Sequence, residues 1–248
     1  MAFTKLLKKI TTGSSKRKPL ALIKNKNTAG ITVDLKRISV IHKGRPFVIR
    51  REKNPTATIP SLYNKTSRPC PPFCIQPMTI APNVETIGEL ELIDYLKQSN
   101  GDSVTVVDSR IQSWVEKGTI PGSVHIPWTD LVTDQNSSII KFQLTLKDEF
   151  SVKTSADHDN NEIRKKLING DATNLFDFSA AKVLVFFCNG SWCGQSSKSI
   201  DALLKIGYPP EKLKYYREGM QGWVSLGLSI VIDDKACKLN AVPEACKG

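Results

Sequence analysis

Residues 85 to 231 of this chain predict an α/β domain, a central parallel sheet flanked by helices, and three observations carry that reading. Short β-branched or aromatic runs alternate with helical patterns along the whole segment. Val183-Leu184-Val185-Phe186-Phe187 is an unbroken apolar run of strand length, as a strand buried on both faces requires. That run stops at Cys188 and a small-residue loop, after which an amphipathic helix begins.

The elements follow in order. Thr86 and Glu89 make a capping-box pattern ahead of Leu90, Ile93 and Leu96 at helical spacing, with Gly101 as the stop. Val104 to Val107 is a short β-branched run ending at Asp108. Ile111 to Lys117 reads as a helix, and Ile120-Pro121-Gly122 turns the chain into a strand at Val124-His125-Ile126. A polar stretch from Thr154 leads into a helix over Asn161 to Leu167. After the Val183 strand come a helix over Ser196 to Ile206, a strand over Lys212 to Tyr216 and a last helix over Met220 to Leu226.

The remainder divides by composition. Residues 1 to 30 hold eight lysines and arginines and no acid, so much of the net charge of +11 belongs to a basic flexible arm. The rest carries 27 bases against 24 acids, which excludes a generally basic nucleic-acid-binding surface. The arm is suited to an anionic partner such as lipid or nucleic acid through charge alone, and no specific nucleic-acid recognition is expected. Residues 31 to 84 form an extension: a hairpin between Val33 and Arg51, then a Pro/Cys-rich segment containing Arg68-Pro69-Cys70-Pro71-Pro72-Phe73-Cys74. Its prolines forbid a regular helix. Residues 232 to 248 are a polar tail with Cys237 and Cys246. No run nears the roughly 20 apolar residues of a transmembrane helix and no signal-peptide core is visible, so a cytoplasmic location is expected.

The chemistry concentrates in Cys188-Asn189-Gly190-Ser191-Trp192-Cys193-Gly194-Gln195. Open α/β sheets place ligand crevices at the carboxyl ends of their strands, where Cys188 falls. Small residues let successive backbone N–H groups turn inward as an anion nest, and the following helix adds positive charge at its N-terminus. Both favour thiolate over thiol and suit an oxyanion or a terminal persulfide sulfur. Cys188 is thus the candidate nucleophile, Asn189 to Gln195 its anion-binding loop, and Trp192 a wall of the pocket. A buried, inert strand-end cysteine is the competing structural reading.

Flanking motifs decide between them. Asp108-Ser109-Arg110, with Gly118-Thr119-Ile120-Pro121-Gly122-Ser123-Val124-His125-Ile126-Pro127, resembles the first signature of the rhodanese family. Glu218-Gly219-Met220-Gln221-Gly222-Trp223, followed by Gly227, resembles its C-terminal signature. The resemblance covers about 145 of the 248 residues. It departs from the family at Thr119, where His is usual, and at Glu218, where Gly is usual. It implies a rhodanese-like five-stranded parallel sheet, structural roles for Asp108 and Arg110, and sulfur transfer through a Cys188 persulfide. The loop is similar to a subgroup with Cys-Asn-Gly-x-Trp-Cys-Gly-Gln-Ser, and Ser67-Arg68-Pro69-Cys70 resembles that subgroup's N-terminal region.

The resemblance implies a small sulfur donor and a thiol or protein acceptor. Because Asn189 to Gly194 contain no Arg or Lys, the donor stays open among thiosulfate, polysulfide and persulfide. Gly194 stands where cysteine phosphatases carry the oxyanion-gripping Arg, which argues against phosphatase chemistry. Cys193 either resolves a Cys188 persulfide or shapes the loop. Cys70 and Cys74 form a second redox or sulfur-relay pair, join a four-thiolate metal site, or simply pack. Two-residue spacings are the commoner zinc signal, so no metal is expected, and no nucleotide, flavin or haem cofactor either. His42, His125 and His158 have no catalytic partner nearby in sequence, and His125 is expected to be a satisfied structural imidazole.

Two readings compete with an enzyme. One is a non-catalytic interaction module whose N-terminal segment folds over the pocket. The other is a switch in which Cys188 and Cys193 cycle through a disulfide.

Overall fold

The computed structural model describes residues 29–99, 101–155 and 157–232. Nearly all of the basic arm, together with Cys237, Cys246 and the rest of the polar tail beyond residue 232, lies outside them.

Strands β1 (Arg37–His42) and β2 (Arg45–Arg50) pair antiparallel, from Arg37 opposite Arg50 to His42 opposite Arg45. Lys43 and Gly44, both at positive φ (49° and 75°), make the two-residue turn that matches the twist of paired strands. Alternation puts Ile38, Val40 and Ile49 inward.

Then come β3 (Glu85–Thr86), α1 (Glu89–Gln98), β4 (Val104–Asp108), α2 (Gln112–Val115), β5 (Val124–His125) and α3 (Ile139–Leu144). They are followed by β6 (Lys153–Thr154), α4 (Asn160–Ile168), β7 (Phe176–Asp177), β8 (Val183–Phe187), α5 (Gln195–Lys205), β9 (Leu213–Tyr216) and α6 (Gly219–Ser225). Strands β3-β9-β8-β4-β5, in that spatial order, form one sheet whose four pairings are all parallel. The sequence pattern has no counterpart for α3, or for the β6–β7 pair beside it.

The sheet has a core on each face because β8 is apolar at every position. Leu184 and Phe186 point to the side covered by α3, α4 and α5, with Phe142, Ile163 and Leu203. Val185 and Phe187 point to the other side, with Leu96 of α1 and Trp223 of α6. Ile38, Val40 and Ile49 of the hairpin belong to this second core, so the extension is packed into the same body as the sheet. Ser229 N–H donates to Arg50 O (3.0 Å) and Glu52 N–H to Gly227 O (2.7 Å), fastening the extension to the chain after α6.

One local expectation needs correcting. Thr86 does not cap α1, because it lies in β3, with its hydroxyl donating to Met78 O. Parallel pairing with β9 and the Ile87 N–H to Tyr215 O bond (2.9 Å) keep residues 85–87 extended. The helix therefore starts later, at N-cap Gly88, whose N–H donates to the Glu91 carboxylate (3.1 Å). The inward face is Leu92, Ile93 and Leu96, while Leu90 is 50% exposed.

Candidate active site

In the centre of the sheet, β8 delivers Cys188 to its carboxyl end, and Gly194 is the N-cap of α5. Residues 188 to 194 are therefore a tight strand-to-helix loop. Cys193 N–H donates to Gly190 O (2.9 Å), closing the loop on itself. Met220 N–H donates to Cys188 O (2.9 Å) and Gln221 N–H to Asn189 O (3.0 Å), so the start of α6 holds the loop by its backbone. That approach requires glycine at 219: φ is +53°, and a Cβ there would lie 2.3 Å from Cys188 O and 2.8 Å from Gly190 N.

Cys188 is 2% exposed and Cys193 is also buried, and both are free thiols. Burial pushes the Cys188 thiol up. The Cys193 side chain and the backbone N–H groups of Ser196 and Gly190 more than offset this and bring it down to about 7. Cys193 moves the opposite way, held up by its hydrogen bond to Cys188 and by burial. Of the pair, Cys188 ionises and Cys193 stays a thiol. The loop is not the continuous N–H nest expected from its small residues. The Cys193 carbonyl, not its N–H, faces Cys188 Sγ, and the neutral Cys188 thiol donates to it (2.9 Å). The N–H groups of Gly190, at the strand end, and Ser196, in the first turn of α5, supply the positive side.

Asp108 and Arg110 form a fully buried pair at the end of β4. Arg110 Nε donates to Asp108 Oδ1 (2.8 Å) and Nη2 to Oδ2 (2.6 Å). Nη2 also reaches Gly118 O (2.7 Å), and Nη1 reaches Asn189 Oδ1 (3.3 Å) and Tyr63 Oη (2.9 Å). Thr119, standing where His is usual in the family it resembles, donates to Asp108 Oδ2 (2.6 Å). Burial alone would lower the Arg110 pKa, but the Asp108 charge and hydrogen bonds drive it above the ordinary value. The pair ties β4, the segment after α2 and the loop together without touching Cys188 Sγ through any of these bonds. His125 Nε2 bonds Arg110 O (2.7 Å), a structural contact as expected.

The extension lies over the loop. Trp192 packs edge-on against Phe73 with centroids 5.5 Å apart, and Trp114 is tilted against it at 6.3 Å. Gln76 N–H donates to Ser191 O (2.8 Å), and the Ser197 hydroxyl donates to Gln76 Oε1 (3.1 Å). Arg217 grips Gln76 O through Nε (3.0 Å) and Nη2 (2.9 Å). Gln221 joins both sides, accepting from Trp192 Nε1 (2.6 Å) and donating to Tyr63 O (2.9 Å). Cys70 and Cys74 are bonded to each other as a disulfide. In that state neither is a thiolate ligand, which corrects the four-thiolate metal alternative. Among the described residues no group of three or more His, Cys, Asp or Glu is placed to hold a metal ion.

Asn189 to Gly194 form the strand-to-helix loop, whereas Gln195, expected in the loop, is already the first residue of α5. Missed were Tyr63, Arg68, Gln76 and Gln221, which reach the loop from far along the chain. Arg68 stood in the Ser67-Arg68-Pro69-Cys70 motif and Gln221 in the C-terminal signature, with no role attached to either, and Tyr63 and Gln76 carried no signal.

A cysteine at the end of a central parallel strand, in a tight loop leading to a helix, marks the candidate site of this α/β domain. The rhodanese-like domain model matches residues 92–226, more than half of the chain, and the chain belongs to that family. No curated protein matches it. Similar solved structures include a Rhodopseudomonas palustris CGA009 protein of unknown function described as a possible tyrosine phosphatase. The two are 20% identical over 60% of this chain and 85% of that one, with a TM-score of 0.35. Another is a thiosulfate sulfurtransferase from Pseudomonas aeruginosa, 15% identical over 60% of this chain but only 20% of that one, with a TM-score of 0.32. Both likenesses are too slight to bear on activity.

Proposed function

We propose that the chain is a sulfurtransferase that carries sulfane sulfur on Cys188 from a small donor to a thiol or protein acceptor. Family membership supports the class of reaction. The observation that carries the residue-level reading is the place of Cys188 at the carboxyl end of the central strand, in a tight loop ahead of α5, with its thiol lowered to about 7 against burial. At neutral pH a large fraction is then thiolate, and no separate general base is needed.

Two half-reactions follow. The Cys188 thiolate attacks the outer sulfur of a donor such as thiosulfate, and a new S–S bond forms. The donor's own S–S bond breaks, its electron pair leaving on sulfite. The persulfide's terminal sulfur keeps one negative charge, directed to the Gly190 and Ser196 N–H groups and the N-terminus of α5. A thiolate acceptor, or cyanide in an assay, then attacks that outer sulfur and regenerates the Cys188 thiolate.

Intact-mass spectrometry tests this. Brief thiosulfate or polysulfide exposure of the reduced chain is expected to add one sulfur, about 32 Da, and Cys188→Ser to add none. A loss of about 2 Da that Cys193→Ser abolishes would instead mark a Cys188–Cys193 disulfide and the switch reading. No mass change in folded, reduced protein would sink the proposal.

A further inference from the structure

We propose that Arg68 is the anion-recognising residue of the Cys188 site, supplied by the extension to grip a terminal oxyanion on the incoming ligand. This deepens the sulfurtransferase reading and rests on it, by naming the donor's chemistry: a sulfane sulfur carried on a group that ends in negatively charged oxygens.

The active loop brings N–H donors to Cys188 but no cationic side chain of its own between Asn189 and Gly194. The extension provides one. Arg68 stacks on the loop residue Trp192, with Cζ 3.6 Å from the ring centroid. Its Nε and Nη2 are shut off from solvent and have no hydrogen-bond partner among the described residues. Trp192 is followed by Cys193, whose side chain is hydrogen-bonded to Cys188.

The two unmet nitrogens are informative because they form one edge of the guanidinium. That is the edge with which Arg110 grips both oxygens of Asp108 in the same molecule. Arg110 has its carboxylate, and Arg68 has none. Leaving two buried N–H groups of a cation unmet is costly, and stacking on an indole offsets only part of the cost. A ligand presenting two oxygens in a plane, a sulfonate or a carboxylate, satisfies both at once. Stacked on Trp192, the fork would hold that group beside the thiols while the sulfane sulfur meets Cys188. Substitution by Lys would keep the charge and lose the two-nitrogen edge.

The test uses the full chain, native and with Arg68→Gln or Arg68→Lys, each shown to be folded by circular dichroism. Two quantities are measured: the thiosulfate concentration for half-maximal Cys188 persulfide formation, and the ratio of Cys188 alkylation rates with iodoacetate and uncharged iodoacetamide. Arg68→Gln is expected to raise the first about tenfold or more and to lower the second severalfold, with Arg68→Lys between it and native for thiosulfate. Loss with both probes assigns a general oxyanion site, and loss with thiosulfate alone assigns a sulfonate site. Native values of both quantities in Arg68→Gln overturn the proposal. If that variant does not fold, native values in Arg68→Lys overturn it. Should the native chain take no sulfur from thiosulfate, the sulfurtransferase reading fails separately. The alkylation ratio then still decides whether Arg68 reads an anion.

Discussion

The loop at the end of β8 and the extension lying over it meet at Trp192, yet the two sides of that contact are built differently. The loop is held largely by backbone: the Gly219 approach, the Met220 and Gln221 N–H groups, and the Gly190 and Ser196 N–H groups facing Sγ. The extension is held mostly by side chains, through Tyr63 on Arg110, Phe73 and Arg68 on Trp192, and Gln76 bridging Ser197 and Arg217. The loop also falls inside the stretch matched by the family model, and residues 63–76 fall outside it. The Cys193 side chain and the Gly190 and Ser196 N–H groups, all in the loop or the first turn after it, set the charge state of the thiol. Side chains from the extension instead pack on Trp192 and brace the loop from outside.

The largest expected effect breaks the loop side. Gly219→Ala places a Cβ against Cys188 O and Gly190 N at a residue with positive φ. Backbone strain of this kind costs about 1–3 kcal/mol before the collision is counted. A fall in melting temperature of several degrees is expected in thermal unfolding, together with loss of rapid Cys188 alkylation. An unchanged melting temperature would show that α6 does not hold the loop this closely.

An intermediate effect tests how firmly the extension is joined to the core. Tyr63→Phe removes the hydroxyl that accepts from Arg110 Nη1, leaving that nitrogen its longer contacts to Asn189 Oδ1 (3.3 Å) and Trp114 O (3.4 Å). Losing a hydrogen bond to a buried charge is worth about 1–3 kcal/mol, to be read from urea unfolding. A variant as stable as the native chain would make the extension a dispensable cover.

The smallest effect is a shift along the pH axis. Cys188 alkylation by iodoacetamide is expected to be half-maximal near pH 7, because its thiol is lowered to about 7. Thiolate, and with it reactivity, is present above that pH and is lost as pH falls through it. Cys193→Ser replaces the thiol that most lowers Cys188 with a shorter-reaching hydroxyl, so the midpoint is expected to rise. A midpoint that stays in place would leave the Ser196 hydroxyl and the backbone N–H groups as the cause and sharpen the contrast between loop and extension.

Much of the domain is legible in the amino-acid sequence, since a buried parallel strand must be apolar on both faces and a strand-to-helix turn must be small. Val183 to Phe187, Cys188 and the helix after it therefore stand out along the chain, as do Asp108 and Arg110. The hairpin is legible too, from Lys43-Gly44 between two alternating runs. By contrast, α3 and the β6–β7 pair escape, being short elements whose form depends on packing against the sheet. The start of α1 is misplaced by local pattern because a parallel pairing with β9, 129 positions away from Glu85 at Lys214, overrides the capping signal.

By itself, then, the sequence determined the fold and marked Cys188 as the candidate nucleophile, because a strand buried on both faces and a small strand-to-helix loop are local patterns. Tertiary structure alone decided that Cys193 turns its carbonyl to Cys188 and that Cys70 is bonded to Cys74. It also decided that Arg68 stands on Trp192 with two nitrogens unmet. Those outcomes depend on directions and on distances between residues remote in the chain, and spacing along one dimension does not encode which way a donor points.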